Sequence, residues 1–316
     1  IEKQYYLIKE AFYREITKYE DWENIDPDSY ENYRLLTDLD FSGKQNINHN
    51  LKVGKLITEG NKHTIKNINL EANESYFGII KECKNGIENI KFENIQIDVK
   101  ENLTISYIGI VAQNSGNILN VEFNNITING TDKVSNVGCI GSSTGYKIEN
   151  VNLKGIYINK VNDYVGGLLG ITDSGEIDNI IADDIHITAI GKYIGGIIGQ
   201  KNTKIIDKLE SVKISNSEIE GKNSVGGIIG WGYVTKTAYI DKCKVKGNSY
   251  VGGAIGESTY FGVGIYDINV SNSNIIGNTG IGGIIGSGGC LVESKIIESN
   301  IYGESVESLN TGGIVG

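Results

Sequence analysis

The chain has 316 residues, with 42 Gly, 1 Pro and no Met, and a formal net charge of 29 − 39 = −10. That balance argues against a polyanionic partner such as DNA or RNA, which needs a basic face. With 53 Ile and 35 Asn beside the glycines, three residue types fill 130 of 316 positions, a bias toward strands and tight corners rather than toward an ordinary enzyme.

At the N-terminus, Ile8, Phe12, Ile16, Tyr19 and Trp22 recur at helical spacing. They predict a helix over residues 3–24 lying across the first coil, with a strand over residues 12–19 as the competing reading. Residues 33–41 and 51–70 read as an irregular first coil. No run of about 18 apolar residues occurs, so no membrane insertion is expected. The chain opens on Ile1 and stops at Gly316 inside a recurring motif, which leads us to expect a longer array. The predicted division is a cap over 1–32 and a repeat domain over 33–316.

From Gly78 onward a short motif dominates: Gly, two apolar residues, then usually a small one. It begins at Gly78, Gly109, Gly138, Gly167, Gly196, Gly227, Gly253, Gly283 and Gly313, about 29 residues apart. Two residues into each copy lie Ile80, Val111, Ile140, Leu169, Ile198, Ile229, Ile255, Ile285 and Val315, all aliphatic. The preceding column, from Ile79 to Ile314, is also apolar, so either both faces of that strand are covered or a bulge resets the alternation. In the last six copies a second Gly precedes the first; in the first three we place Phe77, Ile108 and Val137 in that slot.

The rest of each repeat alternates apolar and polar residues, as strands do. Two columns interrupt it: Asn89, Asn120, Asn150, Asn179, Ser211, and Asn94, Asn125, Gly155, Asp184, Asn216. Asn and Gly accept left-handed corners, and stacked Asn amides can bond from layer to layer. A unit of this size cannot bury its own apolar face, but stacked units can. The predicted fold is all-β: a right-handed parallel β-helix, one repeat per coil, with a short N-terminal helical cap. Cys139 and Cys243 fall in apolar columns, Cys243 level with Ile180 and Val212. Cys83 and Cys290 lie too many coils apart to bridge.

The recurring Gly167-Leu-Leu-Gly170 and its copies resemble the GLUG repeat of bacterial secreted and surface proteins. The lead-in Trp22-Glu-Asn-Ile25, Asn32-Tyr-Arg-Leu35, Asp38-Leu-Asp-Phe-Ser42 and Gly60-Asn-Lys-His-Thr-Ile65-Lys-Asn-Ile68 is similar to the N-terminal, non-catalytic region of the IgA1-specific zinc metallopeptidases of Gram-positive bacteria. The resemblance implies a secreted or cell-wall-associated scaffold that presents substrate to a peptidase. Its partner would be a host protein or glycoprotein such as immunoglobulin A, or other domains of the same chain. Zinc would belong to a downstream HExxH domain, which no part of this chain matches.

From the residues themselves we expect no catalytic, metal or cofactor site. His49, His63 and His186 lack zinc-ligand spacing, and no P-loop or Ser-nucleophile motif occurs. Asp38-x-Asp40-x-Ser42-Gly43 echoes a calcium loop, but its twelfth position is His49. A carbohydrate-active β-helix enzyme would need clustered carboxylates, and the adjacent Asp183 and Asp184 should face opposite sides of a strand. Trp231 and Tyr233 follow one motif copy, and Tyr260 and Phe261 the next; they are the candidate partner-binding patch. Tyr164, Tyr193 and Tyr250 share a column beside the motif, where rings can stack on sugars or anchor a protein. A surface adhesin stalk is therefore the alternative to the peptidase scaffold.

Overall fold

The computed structural model describes residues 12–202, 208–258, 265–304 and 309–316. The chain winds into a β-solenoid of about nine turns, about 29 residues per turn. Each described strand pairing is parallel and joins a residue to its counterpart one repeat away. Ile198 lies against Ile229, and Ile229 against Ile255. Ile118–Ile128 pairs residue by residue with Ile148–Ile158, and those residues with Ile177–Ile187.

Both Asn columns lie where the alternation requires corners. Asn89, Asn120, Asn150, Asn179 and Ser211 have φ of 52° to 60°, and Asn94, Asn125, Gly155, Asp184 and Asn216 of 50° to 65°. Short amide ladders bind successive layers: Asn120 Nδ2 donates to Asn89 Oδ1 at 2.7 Å, Asn125 to Asn94 at 3.0 Å and Asn179 to Asn150 at 2.6 Å. A left-handed residue turns the chain without ending its ladder, so Asn117–Asn129 is one strand containing two corners.

The two adjacent apolar columns are both interior. Ile197 and Ile198, like Leu168 and Leu169, have no exposed surface. Val137 pairs with Val165, but Ile140 pairs with Leu169, three steps on one coil against four on the next. The second glycine of the later copies is therefore an inserted residue, a bulge that resets the alternation. This corrects the expected alignment: Val137 is the counterpart of Val165, not of Gly166.

The N-terminus differs from the predicted long helix. Arg14–Ile16 is a strand, parallel to Asn32–Leu35, and the helix is only Tyr19–Glu23. Residues 3–11 of the expected helix lie outside the described residues. Asp21 explains the late start, since its Oδ2 accepts from the Thr17 backbone N–H and hydroxyl at 2.8 and 2.7 Å. Phe12 is 82% exposed while Ile16 is buried, so the two share no face. The short helix drives Trp22 edge-on against Phe41, while Trp22 Nε1 donates to the Asn48 carbonyl at 2.9 Å. Residues 51–70, expected to be irregular, hold the regular strands Leu51–Ile57 and His63–Ala72, bulged twice against the next coil.

Cys139 and Cys243 are buried as expected, and Cys83 is buried too; Cys290 is exposed. Cys243 occupies a different column from the predicted one. Val212 pairs with Ala238, and Glu218 with Lys244, so Cys243 lies level with Ser217 and Ile185. The repeat that holds Cys243, from Gly227 to Gly253, is shorter than the one before it, which shifts the count from the motif.

Candidate functional site

The predicted patch does not form one surface among the described residues. Trp231 is half-buried in the strand Ile229–Gly232, but Tyr233 is only 5% exposed and belongs to the apolar core. Its expected projection is overturned because Gly232, at φ 139°, redirects the chain after Trp231. Tyr260 and Phe261 lie outside the described residues.

A longer aromatic feature takes its place. The register runs from Phe77 through Ile108, Val137, Val165, Ile194, Val225 and Val251 to Ile281. One residue earlier, the same column reads Tyr76, Tyr107, Asn136, Tyr164, Tyr193, Ser224, Tyr250 and Gly280. Tyr164, Tyr193 and Tyr250 thus share a column as predicted, and it gains Tyr76 and Tyr107. Sequence comparison missed those two because the inserted glycine changes their distance to the motif. The signal was present as Tyr-apolar-Gly in every case.

The rings interact along the axis. Tyr76 and Tyr107 have centroids 5.2 Å apart at 31°, Tyr164 and Tyr193 5.4 Å apart at 41°, and Trp231 lies 6.0 Å from Tyr193 at 55°. Lys192 Nζ sits 4.9 Å from the Tyr193 centroid. Beside the tyrosines runs a second outward column, Glu82, Gln113, Ser142, Ile171, Gln200, Trp231 and Glu257. The columns touch where Ser224 Oγ donates to Glu257 Oε2 at 2.9 Å. Toward the N-terminal coils, Tyr30 donates to Glu82 and lies under Lys84, 3.4 Å from its centroid.

The glycine at the motif's fourth position sets this column. A Cβ on Gly199 would lie 2.5 Å from the Val165 nitrogen, one on Gly256 2.6 Å from Val225, and one on Gly286 2.5 Å from Val251. The backbone following each corner residue is thus packed directly on a neighbouring glycine, and any side chain there would push the corner outward.

A second polar cluster lies on another face. Tyr157 stacks on His186 with centroids 5.1 Å apart at 1°, and Asp184 joins both. Tyr157 OH donates to Asp184 Oδ2 at 2.9 Å, and His186 Nε2 lies 2.9 Å from Oδ1. The bond to Asp184, then burial, pushes the Tyr157 hydroxyl above its ordinary pKa. Asp183 and Asp184 both point outward, contrary to expectation, because the left-handed Asp184 resets the alternation. They still form no carboxylate pair: Asp183 binds Ser215 and Asn216 of the next coil, at 2.9 and 2.7 Å.

Inside the solenoid, Asn114, Ser143, Thr172 and Lys201 form a buried polar column. Lys201 Nζ donates to the Ser174 carbonyl at 2.6 Å. No group of three or more potential metal ligands occurs among the described residues. No family model, curated protein or solved structure matches the chain.

Proposed function

We propose that this chain is a non-catalytic, rigid β-solenoid scaffold of a secreted or wall-associated bacterial protein. The supporting observation is the unbroken parallel register from Ile80 through Ile285, each aliphatic residue lying on its counterpart in the next coil. A stacked rod of this kind resists bending, because the described strands of each coil are bonded in parallel to those of the next. Its work is to hold a functional region at a fixed distance and orientation. The GLUG-like repeats and the lead-in from Trp22 to Ile68 favour a zinc peptidase as the parent, with the rod presenting a host glycoprotein such as immunoglobulin A. Two outward carboxylates are engaged in structure: Asp183 and Asp241 each bind a Ser and an Asn of the following coil.

The alternative parent is an adhesin, favoured by the tyrosine column on one face. Small-angle scattering of the isolated chain tests the scaffold reading. A rod-like cross-section with a maximum dimension set by the coil count supports it, and a compact or flexible particle overturns it. Turnover of glycans or of immunoglobulin A by the isolated chain would overturn the non-catalytic assignment.

A further inference from the structure

We propose that the tyrosine column is a binding face for an uncharged, extended β-linked glycan lying along the rod axis. This goes beyond the scaffold reading and holds for either parent protein.

Backbone strain is the first argument. Tyr164, Tyr193 and Tyr250 have φ of 58°, 63° and 54°, a conformation poorly suited to a bulky L-residue. The same corner is made in neighbouring coils by Asn136, Ser224 and Gly280, at 51°, 51° and 61°. The turn therefore needs no aromatic ring. The three tyrosines stand where smaller residues make the same turn, so the fold does not account for their rings.

The rings are also accessible. Tyr76 is 37% and Tyr250 40% exposed, and Tyr107, Tyr164, Tyr193 and Trp231 are half-buried. Tilts of 31° to 55° leave wedges between rings rather than a closed stack. The steps at Asn136 and Ser224 interrupt the ladder beside Tyr107, Tyr164 and Tyr250. Gly280 has a structural part here, since a Cβ on it would lie 2.9 Å from the Tyr250 ring.

Periodicity and chemistry select the occupant. One corner residue occurs per coil, at a rise of roughly 4.8 Å, commensurate with one equatorially linked pyranose of an extended chain. The C–H faces of such sugars stack on aromatic rings, and their hydroxyls need neutral donors and acceptors nearby. Gln113, Ser142 and Gln200 stand in the adjoining column, and Asn136 in the tyrosine column itself. A chain of net charge −10 disfavours an anionic glycan. A protein partner would call for a broader apolar patch with a desolvated centre, whereas this stripe is narrow and broken by polar steps.

The test uses the triple variant Tyr164→Asn, Tyr193→Asn, Tyr250→Asn, whose new residues suit the left-handed corners and should preserve the fold. Cellohexaose and N-acetylchitohexaose are titrated against the chain, following Trp231 emission and calorimetric heat. We expect the wild type to bind at least one oligosaccharide and the variant to bind it on the order of 100-fold more weakly, with an unchanged or higher melting midpoint. If the triple variant melts lower, Tyr250→Asn alone provides the comparison, with a several-fold loss expected. Wild type that binds neither oligosaccharide, or a folded variant that binds as well as wild type, overturns the proposal. So does a protein ligand captured through these tyrosines by a chain that ignores both glycans. The rod dimension measured by scattering is independent of all these outcomes.

Discussion

Asn120 donates its side-chain amide to Asn89 Oδ1, 2.7 Å away on the preceding coil, while both residues hold the left-handed backbone, at φ 55° and 60°. One residue type thus makes the corner and links the layers. Asn120→Ala should cost about 1–2 kcal/mol in each of two ways, through left-handed strain in the alanine backbone and through the lost bond. Asn120→Gly should retain the corner and lose only the bond. Urea unfolding of the two variants checks this, with alanine the more damaging.

The chain's glycines should differ sharply in their tolerance of a methyl group. A Cβ on Gly199 would press to 2.5 Å from the Val165 nitrogen, whereas one on Gly175 would meet only Tyr146, no nearer than 3.4 Å. Gly199→Ala should therefore destabilise by at least about 1–3 kcal/mol, and Gly175→Ala by little. Thermal melts followed by circular dichroism at the β-sheet band measure the contrast.

Thiol chemistry should report the register of the core. Burial pushes the Cys83 and Cys243 thiols up to about 12, and the Cys139 thiol well above its usual value. The sequence has four cysteines, and of these Cys290 is exposed. A thiolate-selective reagent at neutral pH should label one site rapidly in the native chain and all four in denaturant. Cys290→Ser should abolish the fast phase.

Acid should weaken the layers. The Asn216 amide, helped by Ser215, holds the Asp183 carboxyl below its usual pKa; Asn272 and Ser271 do the same for Asp241. A carboxylate whose folded pKa lies below its unfolded value of about 3.9 stabilises the fold above that value. The contribution is lost as pH falls through the folded pKa. The urea midpoint should stay level from about pH 7 to 5 and fall below about pH 4. Asp241→Asn should show a smaller fall.

The solenoid was legible because its determinants are local and repeated. Nine aliphatic residues two places into the motif announced a stacked column, and the two Asn columns announced the corners. The tyrosine column was only half legible, since one inserted glycine per coil shifts its spacing, and a gap in alignment carries no mark in a single sequence. Tyr233 was misread for a related reason: a lone glycine at φ 139° turned a residue of outward parity inward. The helical spacing of Phe12 and Ile16 was genuine, but pairing with Asn32–Leu35 outweighed helical propensity, as tertiary contacts often do. The buried Lys201 had no sequence signature, because its column is otherwise built from Asn, Ser and Thr.

The inserted Gly166 and its later equivalents also bear on how such a rod can change over evolutionary time. Every coil from Val165 onward presents the same bulge, corners and pairing edge to its successor. Excising or duplicating a whole lap of the chain therefore joins two compatible surfaces, while removing a part of one leaves mismatched parity throughout a layer. Length is thus adjustable in whole steps of about 5 Å, a molecular ruler whose graduations are set by genetic duplication.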